Sequence, residues 1–457
     1  MLVARGFDAW PSCDMVHDDF VGIKRQACHF PPRPFADHSD GNAGLLVAGE
    51  TMGPRKKLIT TRRAMNINTE KISPKDAVKA ESLDQKQMRR AFDLCMRKTR
   101  GNIKCVADEP KFAAWAVDGN YFNFQEGFYE IGNWTSSFFT GMALIAWNET
   151  EDEYFFKQVL RLAPHYREKV FIRHLDTHHD LGFLYSLYSV ALHKLTGDKH
   201  HREVGLRAAE VLSQRFNGKS NFIRAWGQMG TDDPAFPANL AIIDCLMNLP
   251  LLYWASKESG DRKNHDIAVR HADMVLQHFI RPDDSLWHAF RFDLKTGRPI
   301  GPDNFCGRGT DSYWARGAAW AIYGFALSYS YTQNQKYLDA SLRLARKFVA
   351  QLDKEVVPVW DFRLPANAEP VRDSSAAAVA ICGFQELAKH HAADFEILKA
   401  KYALLDRVCS DDYLDFNDAC PGVLKSAYGN KVAYSSWGDY FLMEALAREL
   451  EMGETFW

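Results

Sequence analysis

The chain contains 457 residues, of which 46% are hydrophobic and 25% are charged. This balance is typical of a globular protein and excludes a fibrous or wholly disordered chain. The net charge of −2 gives no positive excess for binding nucleic acid or an anionic membrane surface. No apolar run approaches the roughly 18 residues of a membrane-spanning helix, so no membrane span is expected.

The nine cysteines are scattered, and no pair has the C-x-x-C spacing of zinc ribbons or redox motifs. This pattern is typical of reduced thiols in a reducing compartment. Residues 1–30 include four aspartates and lack the apolar core of a secretory signal. We therefore expect a cytoplasmic protein.

Residues 1–80 differ from the rest of the chain. They contain three prolines at positions 31, 32 and 34, a basic segment at residues 54–57 and no sustained hydrophobic periodicity. Such a segment predicts an irregular, poorly ordered extension. Residues 83–457 have a helical pattern throughout, and we expect them to form the catalytic domain.

Amphipathic helices recur along residues 83–457. After the turn Gly197-Asp198, the apolar residues Val204, Ala208, Val211 and Leu212 recur at the spacing of one helical face. Similar segments follow residues 151–152, 260–261 and 333–334. A more hydrophobic helix precedes these turns, which predicts a series of αα-hairpins.

Six polar or aromatic clusters follow irregular loops at spacings of 46 to 72 residues, enough for two helices and their loops. Alternating inner and outer helices predict an all-α fold, a closed (α/α)6 toroid. Its inner helices run parallel, so the clusters at their starts meet at one rim. The clusters are Asn133-Trp134-Thr135, His178-His179-Asp180, Ile243-Asp244-Cys245, Trp314-Ala315-Arg316, Arg372-Asp373-Ser374 and Trp437-Gly438-Asp439.

Asp180 and Asp244 are the candidate catalytic residues, because two carboxyl groups from different helix starts can act as acid and base. Either could instead cap its helix, since Asp is favoured at helix N-termini. A helix N-terminus lowers the pKa of a carboxyl group, whereas burial and a second carboxylate raise it. Acid catalysis at neutral pH requires that the second pair of effects prevails.

His178, His179 and Asp180 superficially suggest a metal site. Three consecutive side chains cannot all point at one ion, and no H-x-x-x-H pair accompanies them, so no metal is expected. We expect His179 to lie beside the substrate or to bond Asp180.

Arg316 is the candidate for binding an anionic group, because a guanidinium matches a carboxylate in bidentate fashion. The alternative is a structural ion pair. Trp134, Trp226, Trp314 and Trp320 are candidate stacking platforms for a sugar ring, although a single Trp is more often a core residue.

Residues 130–450 resemble glycoside hydrolase family 88, the unsaturated glucuronyl hydrolases. That family has an (α/α)6 toroid, in agreement with the six clusters. The resemblance is carried by Asn133-Trp134-Thr135, His179-Asp180-Leu181-Gly182-Phe183, Ala225-Trp226-Gly227, Ile242-Ile243-Asp244-Cys245, Trp314-Ala315-Arg316-Gly317, Trp360-Asp361-Phe362 and Arg372-Asp373-Ser374-Ser375-Ala376.

The resemblance implies the chemistry and the roles of the residues. The substrate is an oligosaccharide whose non-reducing end is a 4,5-unsaturated uronic acid left by a polysaccharide lyase. Asp244 protonates C4 of the enol ether and then acts as base while water adds at C5, and Asp180 assists by positioning and electrostatics. No cofactor is needed. The residues implied to line the substrate pocket are Trp134, His179, Trp226, His288 and Arg316.

One departure from the family pattern leaves the preferred polysaccharide open. Phe305-Cys306 stand where the family usually carries His-Gln, and Ala318 replaces a further Gln. Two other functions also remain open: an unsaturated rhamnogalacturonyl hydrolase, and a non-catalytic toroid that binds oligosaccharide. The H-D-x-G-F string favours the glucuronyl group, and the presence of both aspartates disfavours the non-catalytic alternative.

Overall fold

The computed structural model describes residues 85–123, 126–231, 233, 236–390, 394–429, 431–452 and 455–457. Within these residues the secondary structure is mostly helical, with four small antiparallel sheets. The extension predicted for residues 1–80 and the predicted domain start at residue 83 lie outside the described residues.

Fourteen α-helices are found in the described residues. The described residues also contain a π-helical turn, Ser186–Val190, and a 3₁₀ helix, Ile243–Asn248. The helices are α1 (Gln85–Asp108), α2 (Ser136–Thr150), α3 (Glu153–Leu160), α4 (Ala163–Phe171), α5 (Leu181–Tyr185), α6 (Ala191–Thr196), α7 (Lys199–Gln214), α8 (Leu249–Ser259), α9 (Lys263–His278), α10 (Ala315–Thr332), α11 (Gln335–Val349), α12 (Ser374–His390), α13 (Phe395–Val408) and α14 (Ser436–Glu449).

Inner and outer helices alternate, and their burial explains the two kinds of sequence pattern. In α10 every residue from 315 to 328 is buried, as expected for a helix surrounded by neighbours. In α11 the buried residues recur three and four apart, so only one face is covered. The inner helices are α2, α5–α6, the 3₁₀ helix with α8, α10, α12 and α14, and the outer ones are α1, α3–α4, α7, α9, α11 and α13.

The ring closes between the last inner helix and the first. Phe441 of α14 lies against Phe138 of α2, with ring centroids 5.9 Å apart, and α1 packs against both helices from outside. Each of the other inner helices packs against the next one along the chain. The described residues therefore form an (α/α)6 toroid, which confirms the predicted fold.

All six predicted clusters lie at or beside the first residues of inner helices, as expected. One differs in detail, because Asp244 belongs to a 3₁₀ helix and the α-helix begins only at Leu249. Pro250 explains the delay: its ring would clash with a helical carbonyl four residues earlier, so it is tolerated only in the first turn.

Short strands lie around the opening of the ring at which the inner helices begin, called here the N-terminal mouth. The strands are β1 (Lys111–Phe112), β2 (Trp115–Ala116), β3 (Glu126–Gly127), β4 (Phe216–Asn217), β5 (Phe222–Ile223), β6 (Leu240–Ile242), β7 (Ala289–Phe292), β8 (Pro299–Asp303), β9 (Ala427–Tyr428) and β10 (Val432–Ser435). The strand pairs β2–β10 and β6–β7 link segments far apart in the chain, and β6–β7 lies beside Asp244. None of the helices in the described part of the chain has both the length and the apolarity required to cross a membrane.

Candidate active site

Strand pairing places Asp244 beside His288. Ile242 of β6 pairs with Ala289 of β7, and the backbone N–H of Ile243 donates to the His288 carbonyl at 2.9 Å. Asp244 directly follows Ile243 in the chain. Its Oδ2 lies 3.5 Å from Nε2 of His288, although the two residues are 44 positions apart in the chain.

The orientation of the His288 ring follows from its second nitrogen. Nδ1 accepts the backbone N–H groups of Phe305 at 3.0 Å and Cys306 at 3.1 Å. Burial lowers the pKa of His288, but Cys306 and Asp244 outweigh burial and raise it to about 10. The two amide donors oppose a proton on Nδ1, so we assign a proton to Nε2, which faces Asp244.

Asp180 occupies the N-cap position of α5, yet its side chain makes no capping hydrogen bond. Burial raises its pKa to about 8, and the charge of Asp244 adds to this effect, while Arg215 and Lys169 oppose it. The capping alternative therefore does not account for this residue. At neutral pH the Asp180 carboxyl group keeps its proton, as an acid catalyst must.

A close contact between two inner helices brings the two carboxyl groups together. A Cβ on Gly182 would lie 2.2 Å from Cα of Asn248, so this approach requires a glycine. The Asn248 side chain accepts the backbone N–H of Phe183 at 2.8 Å. The start of α5 is thus held against the end of the 3₁₀ helix that carries Asp244.

His179 is completely buried, and its Nε2 lies 3.4 Å from Oδ1 of Asp180. Burial, followed by the charge of Arg215, holds the pKa of His179 well below its usual value. Of the two positions expected for this residue, the structure favours the one beside Asp180. Among the described residues, no group of three or more His, Cys, Asp or Glu side chains is arranged to hold a metal ion.

Trp134 and Trp226 are both partly exposed. The Trp134 ring stacks on Trp437, with centroids 5.2 Å apart and planes inclined by 25°. Trp226 meets Phe305 edge to face at 4.9 Å, and Phe305 in turn lies near His288. Both indoles are therefore held by a second aromatic ring while keeping some surface exposed, as a sugar-stacking platform requires.

The prediction for Arg316 needs correction. Its side chain is 5% exposed and pairs with the fully buried Asp373, with Nη1 2.9 Å from Oδ2. Nη1 also donates to the Tyr428 carbonyl at 2.6 Å, and the guanidinium lies between the rings of Trp314 and Trp437. The protein itself balances this charge, so the ion-pair alternative describes Arg316 better than a cation reserved for substrate.

The prediction for Trp320 needs correction as well. Its side chain is completely buried within the ring, where it packs against Phe183 and Phe441 at centroid distances of 5.4 and 5.3 Å. A residue with no exposed surface cannot stack on a sugar. Trp320 instead supports Phe183, which lies beneath Trp134.

Sequence reasoning missed two buried cations near Asp180. Lys169 is 2% exposed and donates to the carbonyls of Phe128 and Glu130. Arg215 is likewise 2% exposed and donates only to backbone carbonyls in the described residues. Both lie in outer helices or directly after them, where Lys and Arg are normally solvent-exposed, so the sequence carried no signal for their burial.

A cavity of about 880 Å³ lies at the opposite mouth of the ring, among the C-terminal ends of the inner helices. Its acidic residues are already paired, Glu386 with Lys389 and Arg448, and Glu449 with Lys401. Because its carboxyl groups are already held in ion pairs, we place the candidate active site at the N-terminal mouth.

Comparison with known proteins identifies the family of the chain. Glycosyl Hydrolase Family 88 matches residues 114–452, which include both carboxyl groups and every inner helix. The chain belongs to this family. The family 88 match begins after α1, so the outer helix that completes the ring precedes it.

This family 88 chain is similar to several characterised enzymes. It is 32% identical over 399 residues to the unsaturated chondroitin disaccharide hydrolase of Streptococcus pyogenes serotype M1, covering 84% of this chain and 96% of that protein. It is 36% identical over 337 residues to the unsaturated glucuronyl hydrolase of Bacillus sp. (strain GL1), covering 71% and 88%. The crystal structure of unsaturated glucuronyl hydrolase from Bacillus sp. GL1 matches with a TM-score of 0.73 at 32% identity, covering 79% and 96%.

Proposed function

We propose that this chain removes the 4,5-unsaturated uronic acid from the non-reducing end of lyase-generated oligosaccharides by hydrating its enol ether double bond. One observation carries the proposal: Asp180 and Asp244 are close enough for the charge of one to raise the pKa of the other, and Asp180 keeps its proton up to about pH 8. A carboxyl pair that holds one proton supplies the acid and the base that hydration needs.

The reaction begins with proton transfer from the pair to C4, which leaves positive charge shared between C5 and the ring oxygen. Water then adds to C5 and gives its proton to the carboxylate. The resulting hemiketal opens at the bond between C5 and the ring oxygen, leaving a hemiacetal at C1. Collapse of this hemiacetal releases the remaining oligosaccharide and leaves an open-chain sugar acid.

Within the pair, we propose that Asp180 stores the proton before the substrate binds, because burial favours its neutral form. Asp244 remains the group that exchanges the proton with the substrate, as the family resemblance implies. The Nε2–H of His288 faces Asp244 and favours its ionised form once the proton has left. The pair would then return to its starting state when the attacking water loses its proton.

The similar proteins support a glycosaminoglycan-type substrate, since one of them is named for unsaturated chondroitin disaccharides. Phe305 and Cys306 replace the usual His-Gln, but their backbone N–H groups still hold His288. The exchange therefore alters side chains near Trp226 while keeping the support of the acid–base pair. We propose that it changes the preference among disaccharides rather than the reaction.

The cytoplasmic location stays a prediction from the sequence. It fits the described cysteines, none of which forms a disulfide bond with another described cysteine. Five of them are buried: Cys95, Cys245, Cys382, Cys409 and Cys420. Fractionation of the source cells with an antibody to this chain would test it.

The decisive experiment follows the ultraviolet absorbance of the conjugated double bond in an unsaturated chondroitin disaccharide. The wild-type chain should remove this absorbance, and Asp244→Asn and Asp180→Asn should each lower kcat by at least a hundredfold while remaining folded. Binding without loss of absorbance would support the non-catalytic toroid. Activity only on an unsaturated rhamnogalacturonan disaccharide would support the alternative hydrolase.

A further inference from the structure

The buried side chain of Arg215 connects two segments of the candidate site. It directly follows the outer helix α7 and is 2% exposed. It donates from Nε to the Arg224 carbonyl at 2.9 Å, from Nη1 to Thr177 at 2.7 Å, and from Nη2 to Ala225, Trp226 and Gly227 at 3.2, 3.0 and 3.0 Å. All of its side-chain hydrogen bonds in the described residues are therefore to loop carbonyls.

The two segments carry different parts of the site. Thr177 lies just before His179 and Asp180 in the chain, and the carbonyls of residues 224–227 belong to the segment that contains Trp226. The backbone N–H of His179 also donates to the Ala225 carbonyl at 3.0 Å, which adds a direct bond between the segments. A planar guanidinium can hold several carbonyls at fixed angles, which a lysine ammonium cannot reproduce.

We propose that Arg215 is a positioning residue for the hydration reaction, which fixes the acidic residue Asp180 relative to the Trp226 platform and places an uncancelled positive charge beside the carboxyl pair. This inference rests on the proposed function. No carboxylate among the described residues hydrogen-bonds the guanidinium, so its positive charge acts on the carboxyl groups of the site.

The charges that act on Asp180 are few. Asp244 favours the protonated form, and Arg215 and Lys169 favour the ionised form. The neighbouring His178 and His179 are buried with their pKa values well below the usual range, so they stay neutral. Arg215 has the larger effect of these two cations, so removing its charge raises the pKa of Asp180 further.

Two variants separate the charge of Arg215 from its geometry. Arg215→Met removes both, and the alkaline limb of the kcat/KM profile, which reports loss of the proton, should move up by about one pH unit. Arg215→Lys keeps the charge and loses the fork, so the limb should stay in place while kcat falls about tenfold or more and KM rises. The proposal would be overturned if the alkaline limb of the pH profile did not move in Arg215→Met, or if kcat and KM were unchanged in Arg215→Lys.

Arg281 provides a matched control, because it follows the next outer helix, α9, and is 6% exposed. It donates to the carbonyls of Leu286, Ser312 and Thr310 in the described loops. Arg281→Met should lower stability without moving the alkaline limb. If it moved the limb as far as Arg215→Met, the effect would be general loosening and the proposal would fail.

An unfolding experiment tests the inference without any activity. Asp180→Asn should raise the unfolding free energy by an amount that increases with pH and then reaches a plateau. In the Arg215→Met background this plateau should be reached at a higher pH than in the wild-type background. The same plateau in both backgrounds would contradict the charge role. If Arg215→Met does not fold, Arg215→Lys alone decides through kcat and KM. An inactive wild type with the expected plateau shift would refute the proposed function while leaving the electrostatic role of Arg215 supported.

Discussion

Asp180→Asn should make the protein more stable while abolishing its activity, and the stabilisation should grow with pH. In the folded chain burial raises the pKa of Asp180 to about 8, against an ordinary value of 3.8. Between these pH values the unfolded chain has released this proton and the folded chain still holds it. Stability therefore falls as pH rises through this window, and the loss is complete above about pH 8.

The magnitude follows from the size of the window. Each pKa unit corresponds to about 1.4 kcal/mol, so the three units between pH ~5 and pH ~8 amount to about 4 kcal/mol. Asn has nearly the same shape as protonated Asp and does not ionise. The difference in unfolding free energy between Asp180→Asn and wild type should thus increase by about this amount from pH ~5 to pH ~8.

Urea unfolding followed by tryptophan fluorescence measures this difference, because several indoles, including Trp320 and Trp437, are buried in the ring. Asp198→Asn is a control for the amide substitution: Asp198 caps α7 through the backbone N–H of His200, and Asn caps equally well. If wild type and Asp180→Asn kept a constant difference across the whole pH range, Asp180 would not be held protonated and the acid assignment would lose its basis.

Two further predictions concern the packing that supports the site. Gly182→Ala should destabilise the fold by about 1–3 kcal/mol and lower activity, because the new Cβ would strike the Asn248 backbone. Gly101→Ala, with open space around it in α1, should instead raise the melting temperature slightly, and equal shifts for the two variants would contradict this reasoning. Asp373→Asn should cost about 3–5 kcal/mol in urea unfolding, because it leaves the Arg316 charge buried without its partner. The double variant Arg316→Met/Asp373→Asn should be less destabilised than the sum of the two single variants, and strict additivity would argue against the pair.

The fold could be predicted from the sequence because its signals are local. Gly-Asp turns and one-sided apolar spacing identified outer helices such as α7 and α9, and the clusters before helices identified the inner ones. Residues such as Trp134 and Asp180 were placed correctly at the N-terminal mouth for the same reason. The number of hairpins predicts a closed ring. That number depends on the spacing of the clusters along the chain rather than on particular contacts.

The electrostatics of the site could not be predicted in the same way, because they depend on which charged groups are buried next to one another. Arg316 and Asp373 are both recognisable in the sequence, but their pairing across 57 positions is a tertiary contact. Trp320 lies one helical turn below Arg316, and only the packing of the ring shows that this depth is already core. Nothing in the sequence distinguished Arg215 from a surface arginine.

The position of Asp180 shows how a ring of helices can hold an acid at helix N-termini. The helix dipole stabilises an anion by about 0.3–1 kcal/mol, which lowers a pKa by less than one unit. α5 has only five residues before the π-helical turn. Burial has the opposite effect and is much larger, since the net result is a pKa of about 8. Asp180 is 8% exposed in the folded chain, so its burial in the ring outweighs the field of the helix that presents the acid.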